Sequence, residues 1–531
     1  MKASFALFIA LLFTFELNAQ VFGPITTPLN SIRQNSVSNM AALGDTLWIG
    51  PALNRNIGNE TEWFIPVNAD SVTFGRGRVF SLILGQDSIV TGLGFNDNRP
   101  DNDGTVATAL GYYFSVDGGD EWRFETFPLD PRTQIDNCST VRAAGCDTTF
   151  TYGGVLYDRI RVTVPQQSPP FDIDFNDNVV MSVNWASGLL RSMDFGETWD
   201  RMILPPMQED SLVPSQTYEW TSSFNGEPLN RYDPLGDVNL LGFGLLIDQT
   251  GRTWVGTAGG INISNNALTA PVDSVSWRHI DFDGSSNGLI GNWIIAIEQE
   301  PGTNRIWMTN WSALPNGQDN FGLVYTEDGG NTFRQFLIGE RINDITFKDG
   351  YVFAAGDNGL FISPDGGETW RLSPRIQSVN AFIKDDARFF SAEATTNRVW
   401  IGTSDGIAST TDFGDTWQIT RTDVPLDGGN FYQDDTPVVN AYAYPNPFSP
   451  TQHNIVRIKF ENETSGNTKV RIFDFSMALV KELTNEFLGV GEFEVVWNGF
   501  DERGRKVANG TYFYIIEGPD GTVNGKILLV D

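Results

Sequence analysis

The amino-acid sequence predicts an all-β protein, a single β-propeller of about seven blades followed by a small C-terminal β-sandwich. Three observations carry this prediction. A turn signature recurs at blade-sized intervals, short alternating apolar runs separate its copies, and the pattern changes after a stretch rich in Pro, Gly and Asp that begins near residue 423. The spacing allows six to eight blades, because 36–66 and 128–175 are irregular.

The turn signature has the form Ser/Thr-x-Asp-x-Gly-x-Thr-Trp and occurs five times, with Glu121 replacing Thr in the first copy and Phe333 replacing Trp in the third. An Asp side chain accepts backbone N–H groups within a tight turn, Gly adopts positive φ, and the aromatic ring packs on its own hairpin. We therefore interpret the signature as a structural device. Its aspartates are Asp117, Asp194, Asp328, Asp365 and Asp412.

At these positions the sequence resembles the Asp-box (BNR-like) repeat of bacterial sialidases, sortilin-type receptors and xyloglucan-cleaving propellers. The resemblance covers the blade turns only. In those families the box lies between the third and fourth strands of a blade, away from the ligand. The resemblance therefore implies that the long connections open on the opposite face, which we call the long-loop face. These connections are 93–105, 128–156, 205–240, 281–291 and 311–321.

The amino terminus and the composition indicate an exported protein. Residues 1–19 combine Lys2, an apolar run and a small residue at Ala19, as in a cleavable signal peptide. The propeller is expected over 20–422, and no part of it has the roughly 20 apolar residues that a membrane span requires. The formal net charge of -31 disfavours nucleic acid as a partner.

A separate domain is predicted over 440–531, after a linker at 423–439. It opens with the run Tyr-Pro-Asn-Pro-Phe at 444–448 and continues through Trp497-Asn498-Gly499 to a last strand near the end of the chain. These motifs resemble the immunoglobulin-like (Ig-like) domain of flagellar hook-capping proteins and the C-terminal sorting domains of type IX secretion cargo. The resemblance implies recognition by the outer-membrane export machinery and a secreted or cell-surface location in a Gram-negative bacterium. A purely structural or adhesive sandwich is the alternative.

Exposed aromatic residues on the long-loop face are the candidate ligand-binding residues. Two blades end their second strand with the same pair of residues, and the insertion at 205–240 adds further rings. Flat rings beside amides suit a sugar platform or a protein hot spot, whereas the structural alternative is that they cap the blade core. The candidates are Asn184, Trp185, Asn310, Trp311, Tyr218 and Trp220.

Two smaller features have structural interpretations. Cys138 and Cys146 lie close together in an exported chain, and we expect them to form a disulfide that fastens one loop. Asp97, Asp101 and Asp103 form an acidic run that is a candidate calcium site, although a solvated loop is the simpler interpretation because the EF-hand spacing is not met. No other cofactor is expected.

The functional hypothesis is a secreted or cell-surface propeller that binds an extracellular glycan or protein through its long-loop face. A glycoside hydrolase of the sialidase or xyloglucanase type is the first alternative, but the early Arg-x-Pro cue of sialidases is missing, since Phe64 precedes Ile65-Pro66. No catalytic residue can be assigned, because 66 Asp and Glu residues leave any carboxylate pair unspecified. A structural cell-surface repeat protein is the second alternative.

Overall fold

The computed structural model describes residues 31–58, 62–66, 77–98, 104–131, 147–224, 227–314, 317–422 and 439–531. The predicted signal peptide, both cysteines and nearly all of the predicted linker lie outside these residues. Within the described part of the chain, no helix has the length and apolar character needed to cross a bilayer.

Within these described ranges, seven blades follow one another, and each is an antiparallel meander of four consecutive strands. Blade 1 comprises Asn39–Leu43, Thr46–Gly50, Asn54–Ile57 and Trp63–Phe64; blade 2, Arg78–Leu84, Ile89–Asn98, Thr105–Ser115 and Arg123–Thr126; blade 3, Pro170–Asn176, Val179–Asn184, Gly188–Ser192 and Asp200–Met202. Blade 4 comprises Gly242–Ile247, Thr253–Thr257, Gly260–Ser264 and Trp277–Ile280; blade 5, Trp293–Gln299, Ile306–Trp311, Gly322–Thr326 and Arg334–Phe336. Blade 6 comprises Ile342–Lys348, Tyr351–Gly356, Gly359–Ser363 and Arg371–Leu372; blade 7, Phe389–Ala394, Val399–Thr403, Gly406–Thr410 and Gln418–Thr420.

The insertions between blades add strands to the four-stranded blades described above. Ser211–Leu212 extends blade 4 at its outer edge, and Asp147–Tyr152 pairs with Val155–Ile160 in a separate hairpin. The third blade begins after this hairpin, at Pro170. A second hairpin joins Thr221–Phe224 to Glu227–Asn230. Two short 3-10 helices, Val238–Leu240 and Val272–Ser274, complete this region.

The ring of blades closes without exchange of a strand. The first strand of each blade contacts the first strand of the next, and blade 7 meets blade 1 in the same way. The seam is joined by the segment that precedes blade 1: Val37 N donates to Thr403 O at 2.9 Å, and Gly406 N donates to Asn35 O at 2.7 Å. The prediction of an all-β fold with a propeller and a C-terminal sandwich is confirmed, with seven blades.

Each copy of the turn signature joins the third and fourth strands of its blade. In the last copy, Asp412 accepts hydrogen bonds from Thr410 Oγ1 at 2.8 Å, Thr416 N at 2.8 Å and Thr416 Oγ1 at 2.6 Å. The aromatic ring is tied to the same turn, as where Trp199 Nε1 donates to Gly196 O at 3.1 Å. These contacts satisfy the turn from within and leave its aspartate no free role.

The glycine of the signature has a second function, because it seats the turn against the preceding blade. A Cβ on Gly196 would lie 2.0 Å from Cζ of Phe114, and one on Gly367 would lie 2.7 Å from Cη2 of Trp307. Gly119 stands in the same relation to Trp48 of blade 1. The signature therefore sets the distance between neighbouring blades as well as the shape of a turn.

The C-terminal domain consists of two antiparallel sheets packed around Phe448, Trp497 and other buried apolar residues. A short helix, Pro450–His453, caps one end. The first sheet comprises Ala441–Tyr444, Val456–Asn462 and Gly491–Trp497; the second comprises Leu479–Leu488, Gly466–Phe473, Gly510–Gly518 and Gly521–Leu529.

The close approach between blades predicts unequal costs for two glycine substitutions. Gly196 and Gly302 both have positive φ, at +89° and +74°, but a Cβ on Gly302 would meet nothing within 4 Å. We expect Gly196→Ala to lower the free energy of unfolding by about 1–3 kcal/mol more than Gly302→Ala, because only Gly196→Ala overpacks the contact with Phe114. Urea unfolding of both variants measures the difference. Equal losses would show that backbone strain alone accounts for the glycine.

Candidate functional site: the mouth of the propeller channel

The first strand of five blades carries a bulge at its second or third residue, next to the long-loop face. The register of the pairing with the second strand shifts there in blades 2, 3, 4, 6 and 7. A β-bulge redirects a side chain, and bulges are frequent beside binding sites. The bulged residues are Phe80, Phe171, Phe243, Asn343 and Phe390. Four of the five are phenylalanines, so this strand irregularity places aromatic rings around the channel opening.

Six of the rings at the channel opening form a continuous series from blade 2 to blade 5. We call these the mouth aromatics: Phe80, Phe171, Phe243, Trp185, Trp293 and Trp311. Successive ring centroids lie 6.2 Å apart for Phe80 and Phe171, 5.2 Å for Phe171 and Phe243, 4.9 Å for Phe243 and Trp293, and 5.7 Å for Trp293 and Trp311. Trp185 packs edge-on against both Phe243 and Trp293, at 5.4 and 6.2 Å. All except Phe243 are only partly buried.

Blades 5 and 6 fix the end of this series. The Arg341 guanidinium carbon lies 3.6 Å from the ring centroid of Trp311, and Trp311 Nε1 donates to Ile342 O at 2.7 Å. Arg341 also pairs with Asp357 at 3.5 Å, and Arg388 pairs with the same carboxylate at 3.1 Å. The indole of Trp311 is therefore held between a cation and a backbone carbonyl, which restricts its orientation.

Five carboxylates lie on the first strands of blades 3, 5, 6 and 7, along the channel wall: Asp172, Asp174, Glu298, Asp344 and Glu393. Three of them bridge to the next blade. Asp172 accepts a hydrogen bond from Leu245 N at 2.8 Å and Asp174 from Ile247 N at 2.6 Å, while Asp344 accepts one from Ala392 N at 3.0 Å. These bridges satisfy backbone donors on the first strand of the neighbouring blade, which has no further strand on that side.

The enclosed channel raises the pKa of all five carboxyls. Burial raises the pKa of Asp174 and of Asp344 to about 7, against the hydrogen bonds that each accepts. Burial, with repulsion from Asp344, raises the pKa of Glu393 to about 8. Burial and the charges of the other channel carboxyls place the pKa values of Asp172 and Glu298 well above their usual range. The group therefore carries bound protons near neutral pH.

Trp185 and Trp311 lie at the mouth, but the asparagine that precedes each of them does not reach the surface. Asn184 and Asn310 are fully buried, and their amides serve the backbone. Asn184 Nδ2 donates to Gly188 O at 3.2 Å, and Asn310 Oδ1 accepts from Ile290 N at 2.9 Å. Our assignment of the two asparagines as ligand-binding residues is wrong, because both side chains are buried and hydrogen-bond to the backbone.

Tyr218 and Trp220 are likewise misassigned. Both are buried, at 4% and 1% exposure, in an aromatic core formed by the insertions. Trp220 Nε1 donates to Leu204 O at 3.2 Å, and its ring lies 5.1 Å from that of Tyr157 on the separate hairpin. The apolar area of these rings holds the insertion against blade 4, so neither ring is presented to solvent.

The metal and disulfide predictions fall mainly outside the described residues. Cys138, Cys146, Asp101 and Asp103 all lie there, whereas Asp97 accepts a hydrogen bond from Gln166 Nε2 at 3.3 Å. Within the described ranges, no group of three or more His, Cys, Asp and Glu residues has an arrangement that could hold a metal ion. Calcium at the Asp97 run stays a prediction.

Sequence reasoning missed most of the mouth aromatics. Each of these four rings stands within the first three residues of a first strand: Phe80, Phe171, Phe243 and Trp293. A blade-by-blade alignment on the first strands, rather than on the turn signature, shows this recurrent aromatic. The bulge that redirects each phenylalanine has no sequence marker of its own.

Comparisons with known proteins give one family match and several low similarities to solved structures. The FlgD Ig-like domain family matches residues 451–520, within the sandwich, and the sequence matches no curated protein. Among solved structures, PorZ, a surface component of the type IX secretion system of Porphyromonas gingivalis, is 12% identical, covers 93% of this chain and 81% of its own, and has a TM-score of 0.34. YCF48 from Cyanidioschyzon merolae is 16% identical, covers 72% of this chain and 96% of its own, and has a TM-score of 0.39. These similarities are low, and the fold assignment depends on the strand order and register of this chain.

The raised pKa values predict that stability falls as the solution becomes alkaline. A carboxyl whose pKa is higher in the folded state stabilises the fold fully at low pH and loses that contribution as the pH rises through the folded value, here about 7 to 8. The signature aspartates titrate in a different pH range, as Asp328 shows. Burial alone would raise the pKa of Asp328, but hydrogen bonds from Thr332 and Thr326 lower it to about 2. We therefore expect the melting temperature to decline between pH 5 and pH 9.

Glu393→Gln tests the origin of this decline, because an amide has no proton to lose. Its melting temperature should fall less between pH 5 and pH 9 than that of the unaltered protein. Glu463→Gln, at an exposed position on the sandwich, is the matched control and should leave the slope unchanged. A slope that is identical in all three proteins would locate the pH dependence elsewhere.

Proposed function

We propose that this protein is a secreted or cell-surface propeller that binds an extracellular glycan or protein at the channel mouth. The observation that carries the proposal is the continuous series of mouth aromatics on the long-loop face. Four of the six rings lie on first strands, Trp311 ends a second strand and Trp185 directly follows one, so the blades hold the whole series in place. Rigid aromatic rings bury a large contact area at low entropic cost, which suits recognition by stacking.

The chemistry of the mouth favours a ligand with a flat apolar face and polar edges. The rings supply stacking surfaces, Arg341 and Arg388 supply donors beside Asp357, and the channel carboxyls supply acceptors below. A sugar ring and a planar protein side chain both match this combination. A glycan is tested first because one array samples many sugars.

The C-terminal domain supports the proposal of export through the type IX pathway. The hook-capping Ig-like match covers most of the sandwich, and the domain opens with the Tyr-Pro-Asn-Pro-Phe run at 444–448. PorZ is itself described as a bacterial surface component of that system. We propose that the outer-membrane export machinery recognises the sandwich and that this recognition brings the propeller to the cell surface.

A glycoside hydrolase remains a second candidate because protonated carboxyls line the channel below an aromatic mouth. Asp172, Asp174 and Asp344 are committed to backbone donors of the next blade, whereas Glu298 has no such bridge among the described residues. A carboxyl with a raised pKa can act as a general acid at neutral pH. On this alternative, Glu298→Gln abolishes hydrolysis of a bound glycan without reducing its binding.

A glycan array probed with the full chain and with Trp185→Ala/Trp311→Ala tests the binding proposal. We expect binding of at least one glycan class, weakened by about tenfold or more in the double variant through loss of two stacking surfaces. Met193→Ala is the control, since Met193 is 45% exposed on the turn-signature face. Melting temperatures establish that each variant is folded.

The remaining outcomes separate the alternatives. Release of reducing sugar that is lost in Glu298→Gln favours the hydrolase. Binding that survives in the double variant would rule out the mouth as the binding site. Absence of both binding and cleavage on every glycan directs the search to protein ligands, and failure with an extracellular protein library as well favours the structural repeat protein.

A further inference from the structure

The C-terminal sandwich contacts the propeller at blade 7, on the long-loop face. The contact on the propeller is formed by the turn between the second and third strands of blade 7, by the connection from blade 6 and by the end of the last strand. These segments contribute Asp405, Phe382 and Arg421. The sandwich contributes strand Val456–Asn462 and strand Gly491–Trp497 of its three-stranded sheet.

Four buried charges meet at this contact. Arg457 of the sandwich donates from Nη2 to Asp405 Oδ2 of blade 7 at 2.5 Å and also pairs with Glu494 of its own domain. Arg421 of blade 7 pairs with Asp405 at 3.2 Å and reaches across to Glu494 at 3.3 Å. All four side chains are less than 10% exposed. Removing one member would leave a buried charge without its partner, which is strongly destabilising.

Further hydrogen bonds and a contact with an aromatic ring support this network of charges. Tyr444 donates from its hydroxyl to Glu494 Oε2 at 2.6 Å, and burial together with Glu494 raises the pKa of Tyr444, so the phenol stays a donor. The Arg457 guanidinium carbon lies 5.2 Å from the ring centroid of Phe382, and Arg457 Nη2 donates to Phe382 O at 3.4 Å. At the edge of the contact, Asn454 hydrogen-bonds to Asp386.

The four charges are balanced within each domain as well as between the domains. The propeller holds one cation and one anion, Arg421 and Asp405, which remain paired if the sandwich departs. The sandwich holds Arg457 and Glu494, which likewise remain paired. Separation therefore breaks only the cross pairs and leaves no orphaned charge on either surface, in contrast to a permanent buried ion pair divided between two partners.

We infer that the C-terminal sandwich is a releasable cap on blade 7, docked by the Arg457–Asp405 and Arg421–Glu494 cross pairs. The docked state holds the two domains in one orientation and covers Phe382 and Asp405 on the long-loop face. Departure of the sandwich uncovers a neutral surface that remains folded. This inference concerns the domain contact and is independent of any ligand at the mouth.

A nicked full-length chain tests the cap. A protease site is inserted after Gly429, the purified chain is cut, and gel filtration reports whether the two parts remain together. We expect the parts of the otherwise unaltered chain to co-elute, and those of Arg457→Glu to separate because a third carboxylate faces Asp405 and Glu494. Arg471→Glu makes the same charge change on the other sheet of the sandwich, where Arg471 pairs with Glu517, and its parts should co-elute.

A second variant tests whether separation results from loss of the contact or from unfolding of the altered sandwich. Asp405→Asn lies in the propeller, leaves the sandwich sequence intact and removes the partner of Arg457. We expect its nicked parts to dissociate at least about tenfold more readily than those of the unaltered chain, with the circular dichroism of both parts preserved. Separation of the unaltered nicked chain, or co-elution of both Arg457→Glu and Asp405→Asn, would overturn the inference.

Discussion

Close contact between successive blades is the constraint on which this structure depends. A propeller blade is a small twisted sheet that is not stable alone, so each blade must bury one face against the next. Two kinds of contact join neighbouring blades, one at the signature turns and one along the channel. The signature glycines let a turn sit directly on a ring or aliphatic side chain of the preceding blade, and the channel aspartates bond to the backbone of the following one. The mouth is built on the part of each blade that these contacts hold most firmly.

The same constraint explains why the channel is acidic. Asp172, Asp174 and Asp344 point their oxygens at backbone donors of the neighbouring blade, and burial raises their pKa values. Their hydrogen bonds hold neighbouring blades of the ring together. The aromatic rings above them have fewer structural commitments, and this difference separates the surface that holds the protein together from the surface that is free to meet a ligand.

The sequence was sufficient for the fold and insufficient for most of the site. The turn signature and the alternating strands predicted the blades because local hydrogen bonds and side-chain period dictate both. Trp185 and Trp311 were found at the mouth because they end strands in a repeated motif. Tyr218 and Trp220 were misplaced because their burial depends on the packing of insertions, which no local pattern encodes. Phe171 and Phe243 were missed because a bulge, rather than a residue type, turns them toward the channel.

The seam of the ring has a mechanical consequence. Ile32 N donates to Arg421 O at 3.3 Å, and Thr422 N donates to Asn35 Oδ1 at 2.7 Å, so the first and last segments of the propeller meet where the sandwich is docked. Tension applied to the C-terminal domain therefore reaches the segment that also closes the ring, where Trp63 of blade 1 and Trp400 of blade 7 pack with their ring centroids 5.7 Å apart.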